Sequence, residues 1–65
     1  MIYLDNKELI VQGCQKLLKV SEEEIVFIIF KKTIIISGNN LSLPFFEKDE
    51  FKVKGNIINI EIYDN

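Results

Sequence analysis

The sequence predicts an all-β domain: a small antiparallel meander of about six short strands, sandwich- or barrel-like, which a partner subunit can complete. Three observations carry that expectation. Twelve residues are Ile and none is Ala, so side chains that suit a pleated sheet dominate while the best helix former is missing. Apolar runs recur along the chain, each bounded by Gly, Asn or charged turn signals. The later runs alternate apolar and polar at the period of a strand.

Each element has its own local signal. Glu8-Leu9-Ile10-Val11-Gln12 reads as a strand stopped by Gly13, and Leu17-Leu18-Lys19-Val20 as a second strand or one helical turn. Ser21-Glu22-Glu23-Glu24 has the form of a helix capping box. The next run, Ile25-Val26-Phe27-Ile28-Ile29-Phe30, is β-branched and aromatic throughout, which favours an acidic turn leading into a strand. Ile25–Phe30 and Thr33–Ser37 form a hairpin. Two Lys at its tip, Lys31-Lys32, disfavour a two-residue loop with positive φ, so a longer loop taking in Phe30 or Thr33 is expected. Gly38-Asn39-Asn40 is a turn signal, and Pro44 makes Leu41-Ser42-Leu43 an edge strand or ends it. Phe51-Lys52-Val53-Lys54 alternates and stops at the turn Gly55-Asn56. In the last run Ile58, Ile60 and Ile62 share one face, and Asn59 and Glu61 the other. Gly13, Gly38 and Gly55 are thus the expected turn glycines, each closing an apolar strand.

Residues 1–65 make one domain. A chain this short buries only roughly 60% of its unfolded surface, and with Cys14 its single Cys and no His it has neither an internal disulfide nor a zinc site of the usual kind. A partner chain is the remaining staple. The hairpin is apolar on both faces, so one face packs inside the chain and something covers the other: a wrapping sheet or a second subunit. Ile25, Phe27, Ile29 and Ile35 are the candidate oligomer interface, and a charge introduced by Ile35→Lys is expected to abolish assembly or folding.

Function classes narrow on the same basis. With 8 Lys against 10 acidic residues, net charge −2 and no Arg, no basic face is in view and no nucleic acid partner is expected. The start, Met1 to Asn6, lacks the features of a signal peptide. The longest apolar run is far too short to span a bilayer, so no direct membrane insertion and a cytoplasmic location are expected. Cys14 has no His to activate it and reads as a small buried hydrophobe. Glu22-Glu23-Glu24 and Glu47, Asp49 and Glu50 read as solvated turns lacking the ligand spacing of a calcium loop. No catalytic, cofactor-binding or metal-ligating residues are assigned, and no enzyme activity or cofactor is expected.

From Lys7 to about Tyr63 the chain resembles the YabP/YqfC family of sporulation proteins of endospore-forming Firmicutes. The resemblance lies in the opening strand ending at Gly13 and in Ser21-Glu22-Glu23-Glu24-Ile25. It continues in the block Ile34-Ile35-Ile36-Ser37-Gly38-Asn39-Asn40-Leu41-Ser42-Leu43 and in Phe51-Lys52-Val53-Lys54-Gly55-Asn56-Ile57-Ile58-Asn59-Ile60. The chain departs from the family at Lys31-Lys32, where Gly is frequent, and at Pro44. The resemblance implies a non-enzymatic accessory or morphogenetic protein of spore formation that acts through protein–protein contacts. Self-association and a sporulation membrane protein partner are the expected contacts, in the mother-cell cytoplasm at the forespore surface. The alternative is a small β-barrel binding module for nucleic acid or a small ligand, which needs an exposed aromatic or basic face.

Overall fold

All regular structure in the computed structural model, which describes residues 1–5 and 8–64, is strand. The strands are β1 (Ile2–Asp5), β2 (Glu8–Gln12), β3 (Lys16–Val20), β4 (Glu24–Ile29), β5 (Lys32–Glu47) and β6 (Glu50–Asp64). They form one antiparallel sheet in the order β1-β2-β6-β5-β4-β3. From β3 to β6 the chain is a plain meander, while the β1–β2 hairpin joins at the far side by pairing β2 with β6. The sheet is not closed into a barrel. Lys7, where the family resemblance begins, lies outside the described residues.

Local chemistry explains the short connections. Ser21 stops β3: its hydroxyl accepts hydrogen bonds from the N–H groups of Glu24 and Glu23 at 3.0 and 3.3 Å. The capping-box residues therefore cap a turn between strands, as the β-branched run after them requires. β4 passes into β5 through Phe30 and Lys31, both in the left-handed region at φ 50° and 62°. This is the two-residue loop of a type I′ hairpin, so the longer loop expected from the two Lys does not form. Strand twist selects that turn geometry, and Phe30 and Lys31 bear the local cost. Ile29 pairs with Lys32, which places Lys32 in the strand rather than at the tip.

The larger difference concerns length. Gly38-Asn39-Asn40 and Gly55-Asn56 read as turns, yet β5 and β6 run straight through them as two long partners. The ladder slips register between Ser37 and Gly38, between Asn39 and Ser42, and between Ser42 and Phe45. Bulges of this kind bend strands. The bend is crowded: a Cβ on Gly38 would lie 2.0 Å from the Asn56 carbonyl oxygen, and one on Gly55 would lie 2.5 Å from that of Asn40. Gly55 also has φ +129°. These two glycines allow close backbone approach, whereas Gly13, at φ +86°, follows the last residue of β2 at a bend in the chain. Bulged backbone groups still need partners. The N–H groups of Gly38 and Leu41 donate to the carbonyls of Glu23 and Glu22 at 3.0 and 2.8 Å, so the β3–β4 turn braces the bend.

The bend lets the two ends of the long hairpin face each other. β4 pairs with the Lys32–Ser37 end of β5, and β2 with the Glu50–Val53 end of β6. Their inward side chains meet in one core: Leu9, Val11, Ile25, Phe27, Ile29, Ile34, Ile36, Leu41, Phe51 and Val53. The Phe27 and Phe51 rings join the halves edge-to-face at a centroid distance of 5.1 Å. Each side chain of that size contributes about 1.5–3 kcal/mol when fully buried. The layering is therefore sandwich-like, made by one folded sheet.

Candidate protein-contact surface

The two long strands are only partly covered. β2 pairs with β6 up to Val53, leaving residues 54–64 of β6 bonded to β5 alone. Ile60 lies directly opposite Ile36, and Ile62 opposite Ile34. Opposed residues share a sheet face, so Ile60 and Ile62 continue the core face outward, while Ile58 falls at the slip between the Asn59–Ser37 and Ile57–Gly38 pairs. Ile36 and Ile34 are buried, but Ile58, Ile60 and Ile62 are 66%, 43% and 61% exposed. The core face runs past the last strand available to cover it.

A shallow groove of about 240 Å³ adjoins Ile62, walled by Met1, Ile2, Ile29, Phe30 and Ile34, with Lys32 at its rim. The N-terminal ammonium donates to the Gln12 carbonyl, which places Met1 beside the end of β2. At the far end of β6, Lys32 pairs with Asp64. On the opposite face the Tyr63 hydroxyl donates to the Glu61 carboxylate at 2.8 Å, a bond that raises the phenol above its ordinary pKa.

Of the residues singled out in the sequence as an oligomer interface, Ile25, Phe27 and Ile29 point into the intrachain core at 0%, 0% and 4% exposure. Ile35 alone sits on the outer face, half-buried, between Val26 and Glu61 on the neighbouring strands. The exposed apolar stripe lies one strand away, on β6. The shared face of Ile60 and Ile62 is legible in the sequence, whereas the slip at Ile58 and the lack of cover are properties of strand pairing and order. The signal that could have found β1 is the short apolar run Ile2-Tyr3-Leu4 before Asp5-Asn6, residue types common in turns.

Elsewhere the chemistry is quiet. Cys14 packs against the core, and burial pushes its thiol pKa up, aided by the charge of Asp49 and opposed by a hydrogen bond to the Lys16 backbone. Such a thiol stays protonated at neutral pH. Glu22, Glu23, Glu47 and Asp49 are exposed; Glu24 pairs with Lys19 at 2.8 Å. Among the described residues no three His, Cys, Asp or Glu side chains gather as metal ligands would, and no helix is long and apolar enough to cross a membrane. A row across the sheet pairs Tyr3 with Ile10, Ile10 with Lys52, and Lys52 with Phe45. The Lys52 ammonium lies 5.6 Å from the Phe45 ring centre. That row holds a single cation beside Glu50 and Glu47, a poor surface for a polyanion.

No family model, curated protein or solved structure matches this chain.

Proposed function

We propose that this protein is a non-enzymatic contact module that works by binding other protein surfaces. The observation carrying this reading is the stripe of Ile58, Ile60 and Ile62, exposed on a strand edge and continuous with an apolar groove. An apolar patch of this kind on a small domain marks an interaction site. The cellular setting proposed with it is spore formation, as an accessory or morphogenetic protein of the YabP/YqfC type acting at the forespore surface with a membrane protein partner. That part rests on the Gly-punctuated blocks around Gly13, Gly38 and Gly55 and the Ile-x-Gly-x-x-Leu stretch of Ile36 to Leu41.

Fluorescence imaging of a tagged copy in its host tests the setting. Signal confined to sporulating cells and gathered at the developing spore is the expected result. Diffuse signal in growing cells would remove the sporulation role and leave the contact surface to be matched with partners of vegetative cells.

A further inference from the structure

We infer that the partner seated on the free edge of β6 is β6 of a second copy, paired antiparallel about a two-fold axis through Ile60. This deepens the contact-module reading and rests on it, by naming the occupant of that surface.

The open edges of the described strands differ in how they are defended. Edge strands avoid unwanted pairing through brevity, bulges, Pro or Lys. β1 is four residues long. β3 carries Lys16 and Lys19 and a register slip between Leu17 and Lys19. The Leu41–Glu47 end of β5 carries Pro44 and a further slip. Residues 59–63 of β6, beyond the slip at Ile58, have no Pro, no Lys and no register slip, and they present Ile60 and Ile62, both exposed, on one face. This edge is built to be paired.

Complementarity identifies the occupant. Antiparallel pairing of β6 with itself about Ile60 sets Ile60 against Ile60 and Ile58 against Ile62 twice. The four Ile60 and Ile62 side chains extend the core face across the junction, with the two Ile58 side chains, each at its strand's slip, flanking them. On the other face Glu61 meets Asn59, and on the face of Ile60 and Ile62 Asp64 meets Asn56, so no like charges stand directly opposed. The two Glu61 carboxylates become diagonal neighbours, a weaker relation on the solvated face, with each held by its own Tyr63 hydroxyl. Shifting the axis by one residue to Glu61 would oppose the two carboxylates directly. Shifting it to Asn59 sets Ile62 against Asn56. The Ile60 register is the one that seats every exposed Ile of the stripe against another. The product is a continuous twelve-stranded sheet, closed by two-fold symmetry.

Sedimentation equilibrium of the intact chain at micromolar to submillimolar concentration tests this, alongside cross-linking. The expected mass is that of a dimer. Ile60→Lys sets two ammonium groups face to face and raises the dissociation constant by about a hundredfold or more, while the circular dichroism spectrum stays that of the parent. Should Ile60→Lys fail to fold, Ile58→Lys, at the most exposed of the three, serves in its place. In a Cys14→Ser background, Ile60→Cys forms a disulfide dimer on oxidation, whereas Ile58→Cys and Ile62→Cys cross-link efficiently only when mixed. A monomer throughout that concentration range would overturn the inference, as would a dimer indifferent to Ile60→Lys but lost on Ile35→Lys. Either failure leaves the contact-module reading standing, because the same stripe then takes a different partner, and the imaging outcome is independent of both.

Discussion

Gly38 and Gly55 are the residues on which the bend depends. Each faces a carbonyl oxygen of the other strand, at distances no side chain tolerates, and those oxygens belong to backbone rather than to a flexible side chain. Gly38→Ala is therefore expected to destabilise the domain by about 2–4 kcal/mol, read as a lowered urea midpoint. A midpoint unchanged from the parent would mean that the strands separate at the bend without cost. Lys31 shows the opposite situation. It holds φ 62° with a Cβ, and its N–H donates to the Gln15 side chain at 3.3 Å, a bond that any residue retains. Lys31→Gly is expected to raise stability by about 0.5–1 kcal/mol in the same titration. Cys14 supplies a chemical probe. Its raised pKa keeps the thiolate scarce in the folded protein. Alkylation by iodoacetamide should be slower in the native than in the urea-unfolded chain at neutral pH, and should accelerate as pH rises through the ordinary thiol range and beyond. Equal rates in the two states would contradict the burial of the sulfur.

At the scale of elements, the local patterns are legible in the sequence and the joins between them are not. The apolar, β-branched runs at Leu9 to Val11, Ile25 to Ile29, Ile34 to Ile36 and Phe51 to Lys54 are strands, because strand propensity and alternation act within a few residues. Asn and Gly in sequence look the same whether they make a turn or a bulge, so Gly38-Asn39-Asn40 and Gly55-Asn56 divide strands on paper that the folded chain keeps whole. Only the partner strand, some distance along the chain, distinguishes the two. Pro44 is legible as an edge residue and lies at a slip on the open side of β5. Ile35 shows the limit. Hairpin apolarity predicts that a charge there is buried on either face. In the fold Ile35 is half-buried on the outer face and directly opposite Glu61. A lysine stem can lie along that face and bring its ammonium to the carboxylate. Ile35→Lys is therefore expected to fold, with a stability change within about 1 kcal/mol of the parent. An unfolded circular dichroism spectrum would mean that the outer face at Ile35 tolerates no charge.

For the whole molecule the governing fact is a small core in an open sheet. One sheet folded on itself makes both layers, so its interior is bounded where strands run out, and on β6 they run out before the apolar face does. The two-sided apolarity of the hairpin points to a partner chain, but Ile25, Phe27 and Ile29 are taken up inside. The surface that asks for a partner is set by sheet order, which no single run encodes. Marginal burial in a 65-residue chain adds to the case, since pairing with a second copy stabilises the folded state by mass action.

The most direct measurement is amide hydrogen exchange along Ile57 to Asp64, taken at concentrations above and below dimer dissociation. If β6 pairs with β6, the alternate amides turned away from β5 exchange slowly in concentrated solution and quickly in dilute solution, while those bonded to β5 remain protected in both. Fast exchange of the outward amides at every concentration would contradict strand pairing at this edge.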